Sequence, residues 1–246
     1  MEVLGHRGSR NPGLENTAAA VDAALTAGAD GIEVDIRRTA DGDLVCVHDA
    51  RLPRLGGRAV IRRSTAELAA RGVPTLHDVL DAWGGRGRII IEIKNQPGQP
   101  DFDAPRERSA QTLVELLTAR GLTGPDAGVT VSSFDWFAIE HVRGSGVGVG
   151  TGFLTMPRMG IGGGLSYART AGHEELHAHT SAVLAVPDAA ERAHAAGIRL
   201  VTWTVTSERA ALQLRDVGVD GVICDAPADV VRVLRASPPT ALPSSP

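Results

Sequence analysis

The chain has 246 residues, 43% hydrophobic and 22% charged, the balance of a globular protein long enough for one large α/β domain or two small ones. A formal net charge of -4 supplies no basic field for nucleic acid, and no apolar run approaches the ~20 residues that span a bilayer. The opening MEVLGHRGSR has no apolar signal-peptide core, and Cys46 and Cys224, each inside an apolar run, read as small buried hydrophobes of a reducing compartment. A soluble, cytoplasmic protein is the expectation.

Taken in order, Val3 to His6 is a short strand that turns out at Arg7-Gly8. Asn16 or Thr17 caps an Ala-rich helix reaching about Ala27 and ending at Gly28. In GIEVDIRRTADGDLVCVHD, residues 31–49, Ile32, Val34 and Ile36 alternate with Glu33 and Asp35, so both carboxylates leave the same face of one strand. Asp41-Gly42 is a hairpin signal that returns the chain through Leu44 to Val47 and on to His48-Asp49. Residues 50–75 read as an Arg-rich surface excursion with a short helix at Thr65 to Ala70, followed by a helix over Thr75 to Trp83.

Arg88 to Lys94, RIIIEIK, is a nearly continuous apolar strand of the kind buried on both faces in parallel sheets, with Glu92 and Lys94 at its C-terminal end. Lys94 is the only lysine among 25 basic residues, which invites a chemical reason for it. A loop from Asn95 to Pro105 leads to a helix over Arg106 to Arg120. Strands follow at Gly128 to Ser133, Val147 to Leu154, Ala182 to Val186, Arg199 to Val205 and Gly221 to Asp225. The helices between them run over Asp135 to Arg143, Ala189 to Ala196 and Ser207 to Val217; residues 156–166 read as a loop, and a short helix follows the last strand. From Ser237 the composition is that of a disordered tail.

Nine strands, one of them a hairpin arm, leave eight that mostly alternate with helices. That is the arithmetic of a TIM (β/α)8 barrel with a small hairpin/loop insertion after the second strand, in one domain over residues 1–236. A doubly wound sheet is the alternative, weakened because no G-x-G-x-x-G follows a strand. His6, Glu33, Asp35, Glu92 and Lys94 all fall at C-terminal strand ends, where barrels build active sites. Three carboxylates from two neighbouring strands suit a divalent metal, Mg2+ or Ca2+, with positions left for water or a phosphate oxygen. His6 and His48 can flank it as base and acid, and Arg7 and Lys94 suit an anionic substrate.

These residues resemble the glycerophosphodiester phosphodiesterase family through GHRG (5–8), ENT (15–17), GADGIEVDIRRTADGDLVCVHD (28–49), PTL (74–76), IEIK (91–94), SSFD (132–135), WTV (203–205) and GVDGVICDAP (218–227). The resemblance implies divalent-metal-dependent hydrolysis of small glycerophosphodiesters to glycerol 3-phosphate and an alcohol on a TIM barrel. It assigns His6 and His48 to the acid/base pair, Glu33, Asp35 and Glu92 to the metal, Arg7 and Lys94 to phosphate, and Trp203 to the substrate pocket. Glu15 and Asn16 are expected to orient the first loop. The chain departs from the family in Gly13-Leu14 before ENT, in Thr206 after WTV, and in ARLPRLGG after HD; these leave the catalytic set intact and bear on the head group.

His173-Glu174-Glu175-Leu176-His177 fits the zinc-protease pattern H-E-x-x-H, with His179 nearby. Gly172 directly before it and the absence of an amphipathic stripe favour a solvated helix or loop face instead. Two other functions share the same residues: a barrel phospholipase acting on lysophospholipids or phosphoinositides, and a non-catalytic phosphate-binding barrel.

Overall fold

The computed structural model describes residues 1–10, 14–53 and 56–236. The tail expected from Ser237 lies outside them.

One sheet closes on itself. Strands β1 (Glu2–His6), β2 (Gly31–Arg38), β4 (Arg88–Ile93), β5 (Val129–Ser133), β6 (Gly150–Thr155), β7 (Glu175–His179), β8 (Arg199–Val205) and β9 (Gly221–Cys224) pair in parallel in that order, and β1 completes the ring by pairing with both β2 and β9. This is the TIM barrel the sequence implies. The remaining strand, β3 (Leu44–Cys46), runs antiparallel to β2, with Ile36 opposite Cys46 and Arg38 opposite Leu44. No helix among the described residues is long and apolar enough to cross a membrane.

Helices α1 (Ala18–Thr26), α3 (Leu76–Trp83), α4 (Arg108–Ala119), α5 (Trp136–Gly144), α6 (Ile161–Ala171), α8 (Ala189–Ala195), α9 (Glu208–Val217) and α10 (Pro227–Ala236) form the outer layer. Their starts are chemically marked. Thr17, Thr75, Asp135 and Ser207 each accept a backbone N–H within the first turn of the helix that follows, satisfying donors the helix itself cannot. The outward residues of the strands, such as Ile32, Val34 and Ile36 of β2 and Ile89, Ile91 and Ile93 of β4, are buried against these helices. Burying each such side chain contributes roughly 1.5–3 kcal/mol.

Inside the barrel a separate apolar layer of Leu4, Ile90, Val201 and Ile223 comes from four strands, with Trp203 packed on it. Below it, toward the N-terminal strand ends, lies a charged layer. Arg88 bonds Glu2, Thr130 and Glu175, and His177 Nε2 donates to Glu175 Oε2 at 2.8 Å. Above the apolar layer, toward the C-terminal strand ends, lie the carboxylates and histidines described below.

The insertion after β2 has its own small core of Val45, Val47, Leu52, Val60, Leu68 and Val73. It carries α2 (Thr65–Ala69), started by a capping box in which Ser64 and Glu67 bond each other's backbone N–H.

Two expectations fail between residues 156 and 186. The stretch 156–166 was expected as loop, yet α6 begins at Ile161. Its three glycines lower helix propensity, but a Cβ at Gly164 would lie 2.8 Å from Leu176 Cδ1, so close packing on β7 requires the missing side chain. The strand expected at Ala182 to Val186 is instead α7 (Thr180–Leu184). The strand is Glu175–His179, which overlaps the second half of the H-E-x-x-H stretch and runs past it, and His173, Glu175 and His177 are all buried. That stretch is therefore neither a zinc-binding helix nor a solvated face. Its charged residues read as solvent-seeking in sequence because their partners, Arg88 above all, come from strands on the other side of the barrel.

Candidate active site

The three acids converge at the C-terminal end of β2 and β4. Register places Asp35 directly beside Glu92, and a ligand oxygen from each of Glu33, Asp35 and Glu92 lies within 4.8 Å of the others. All three are buried. Lys94 Nζ reaches Asp35 Oδ1 at 2.8 Å and Glu92 Oε1 at 2.5 Å, while Arg7 Nε lies 3.1 Å from Asp35 Oδ2. The sole lysine is thus the counter-ion of the acidic cluster.

Arg7 arrives there through an unusual turn. Arg7 (φ 55°) and Gly8 (φ 82°) are both left-handed, bending the chain sharply off β1. The Arg7 N–H then donates to Glu33 Oε2 at 3.0 Å, and its guanidinium also bonds Glu15 at 2.9 Å. A Cβ at Gly8 would meet the Ala20 carbonyl carbon at 2.5 Å, so only glycine fits against α1 there. Asn16, also left-handed at φ 61°, clamps Asp35 twice: its Nδ2 donates to Oδ2 and its Oδ1 accepts from the Asp35 N–H, both at 2.9 Å. The expectation that Glu15 and Asn16 organise the first loop matches these contacts.

The electrostatics divide the acids. Burial, then the Asp35 and Glu92 charges, push the Glu33 carboxyl well above its ordinary range. Burial also raises Glu92, against the pull of Lys94. Asp35 is held low, because Lys94 and Arg7 outweigh the burial that would raise it. Glu33 Oε1 is buried with no hydrogen-bond donor. A buried, undonated carboxylate oxygen beside two further carboxylates is a set that fits a cation bound through oxygen.

Both histidines flank this cluster. His6 Nδ1 donates to Asp225 Oδ1 at 2.6 Å, and His48 Nδ1 donates to Asp49 Oδ1 at 2.8 Å. A carboxylate only accepts, so each ring carries its proton on Nδ1 and presents Nε2 as an acceptor. The His6 hydrogen bond lowers the Asp225 carboxyl. Burial and the Lys94 charge lower His48 from its ordinary value. The charge of His48 is felt at Asp35 and that of His6 at Glu92, so the two rings stand over the same cluster.

Trp203 is half-buried at the C-terminal end of β8. Its Nε1 donates to the His177 carbonyl at 3.1 Å, and its ring meets Phe134 and His179 edge-on at 5.4 and 5.1 Å. On the insertion side of His48 a cleft of about 500 Å3 opens, walled by Arg10, Glu15, Asp49, Leu52, Val73 and Pro74.

Three residues at the site were not singled out from sequence. Asp225 had a readable signal, an acid at the C-terminal end of the last strand, but its role depends on His6, 219 positions away. Asp49 follows His48 directly. Arg37 gave no signal: its Nε donates to the His48 carbonyl at 2.8 Å and its Nη1 to Asp101 Oδ2 at 2.6 Å, tying the His48 segment to the loop after β4.

A glycerophosphodiester phosphodiesterase of Caldanaerobacter subterraneus subsp. tengcongensis is 27% identical over 249 residues, spanning 95% of this chain and 97% of the relative. The solved structure of the glycerophosphodiester phosphodiesterase from Thermotoga maritima superposes with a TM-score of 0.78 at 26% identity, covering 95% of this chain and 98% of that one. An Oleispira antarctica phosphodiesterase, solved in complex with the product sn-glycerol-3-phosphate, shares the fold at a TM-score of 0.79 and 24% identity, over 96% of this chain and 97% of that one. Residues 6–229 match the family described as the glycerophosphoryl diester phosphodiesterase family, and the chain belongs to that family of enzymes.

Proposed function

We propose that this barrel hydrolyses small glycerophosphodiesters, such as glycerophosphocholine or glycerophosphoethanolamine, to glycerol 3-phosphate and an alcohol, with Mg2+ or Ca2+ held by Glu33, Asp35 and Glu92. The observation that carries the reading is the charge of the buried cluster. With all three carboxylates ionised, as ligation of a cation requires, Lys94 and Arg7 leave one net negative charge. A divalent ion turns that into one net positive charge, which a phosphodiester monoanion neutralises. The raised Glu33 and Glu92 carboxyls are the cost of crowding these acids together without such an ion.

When bound, the metal supplies Lewis-acid polarisation of a phosphoryl oxygen. Arg7 and Lys94 contribute fixed positive charge where negative charge develops on the equatorial oxygens. His6 and His48, each with Nδ1 committed to a carboxylate, move protons at Nε2: one accepts from the attacking hydroxyl, a water or the substrate's own glycerol oxygen, and the other donates to the departing alkoxide. Asp225 and Asp49 hold the rings in that tautomer and stabilise the protonated form. The cleft beside His48, part apolar and part charged, is the place for the alcohol group.

The test is glycerol 3-phosphate release from both substrates with Mg2+, with Ca2+ and with chelator, for the wild type and for His6→Ala and Glu92→Ala. Metal-dependent release that both variants lose supports the reading. No release under either metal from folded protein defeats it, and a cyclic phosphate product from a lysophospholipid would move the assignment to the phospholipase reading.

A further inference from the structure

Seven large apolar side chains are exposed among the described residues: Met1, Leu14, Phe102, Trp136, Phe137, Met156 and Met159. All but Met1 stand at the C-terminal end of the barrel, the end that carries the carboxylate cluster. Five of them lie on three consecutive connections. Phe102 is between β4 and α4, Trp136 and Phe137 open α5 directly after β5, and Met156 and Met159 are between β6 and α6. Because β4, β5 and β6 are neighbours in the sheet, these connections form one continuous sector of the rim. Asn95 joins two of them by donating to both Glu107 and Asp135.

Charge in this sector is one-sided. Its acids are withdrawn: Asp101 is paired with Arg37, Asp103 with Arg38, and Glu107 and Asp135 are buried around Asn95. What remains in solvent is Arg106, Arg108 and Arg158, none with an ion-pair partner among the described residues. A chain with a net charge of -4 thus presents three free guanidinium groups interleaved with two aromatics, two methionines and a third aromatic on one edge.

We infer that this sector is a docking surface for an anionic lipid membrane, onto which the barrel mouth settles with Phe102, Trp136, Phe137, Met156 and Met159 at headgroup depth. Aromatic rings with an apolar body are the side chains that partition to that zone, and exposed apolar area combined with basic residues is the chemistry by which proteins rest on a bilayer without spanning it. The consequence for the site is orientation. The mouth would face the surface from which phosphodiesters derived from lipid headgroups leave, whichever substrate the catalytic residues accept.

The test needs no turnover, so it stands or falls apart from the proposed reaction. The purified full chain is sedimented with vesicles of phosphatidylcholine alone and with vesicles of equal parts phosphatidylcholine and phosphatidylglycerol. Binding should appear on the anionic vesicles, weaken steeply with salt, and shift Trp136 emission to the blue, a shift missing in Trp136→Phe. Phe137→Ala/Met156→Gln and Arg106→Ala/Arg158→Ala should each bind about tenfold less or worse, while keeping wild-type circular dichroism and wild-type thermal stability. Failure to bind anionic vesicles, equal binding by the variants, or light scattering showing that the wild type pairs with a second copy through these residues would overturn the inference.

Discussion

Arg37 offers the sharpest test of how the site is held. Its guanidinium and the Asp101 carboxylate are 4% and 3% exposed and 2.6 Å apart, so neither charge has water to fall back on. Removing one partner of a buried pair strands the other, at a cost of about 3–5 kcal/mol, whereas removing both is far milder. Arg37→Met should therefore lose about 3–5 kcal/mol in urea or guanidinium unfolding, a large part of the ~5–15 kcal/mol typical of a folded domain. Arg37→Met/Asp101→Asn should recover at least half of that loss, so that the double variant loses far less than the two single losses added together. Because Arg37 Nε also anchors the His48 carbonyl, kcat/KM should fall in the double variant even where stability returns. A single variant within 1 kcal/mol of wild type, or purely additive losses, would refute the claim that this pair ties the loop after β4 to His48.

Other outcomes follow from single contacts. Asp225→Asn replaces the acceptor-only carboxylate that fixes the His6 tautomer with an amide that can also donate to the ring, and kcat should drop by about a hundredfold or more with the circular dichroism spectrum unchanged. In Gly152→Ala the new Cβ would sit 2.5 Å from His177 Nε2; with the ring pinned by Glu175, the cost should be roughly 1–3 kcal/mol, read as a fall in Tm. Glu175 gives the pH dependence. Burial alone would raise its carboxyl, but the His177 hydrogen bond and Arg88 hold it down to about 2 against 4.5 for a free glutamate. The unfolded chain then binds this proton more readily, so the stabilisation is fully present above pH 4.5 and is lost as pH falls toward 2, on the order of 2–4 kcal/mol. Glu175→Gln should flatten that part of the stability-against-pH curve, measured by denaturant melts between pH 5 and 2.

Much of this protein is written locally. The alternation in GIEVDIRR puts two acids on one face of a strand whose other face is apolar, and pleat geometry carries that face to the barrel axis. RIIIEIK is buried on both sides because helices cover one face and the barrel interior the other. The hairpin at Asp41-Gly42 and the helix starts at Thr17, Thr75 and Ser207 are short-range chemistry that needs no distant partner. Those signals suffice for the barrel, its insertion, and the acidic and histidine residues at its C-terminal end.

What only the tertiary structure decides is where partners lie far apart in the chain. Glu175-Leu176-His177-Ala178-His179 is a strand because Arg88, 87 residues earlier, meets Glu175 inside the barrel; along the chain alone its polar face is indistinguishable from a solvent face. Gly164 stands in α6 because Leu176 comes too close for a side chain. Asp225 belongs to His6, Asp101 to Arg37, and Asn16 to Asp35 only once the ring has closed. Local pattern specifies which residues form strands and which face is apolar; the partners that make a buried charge tolerable come from closure of the sheet.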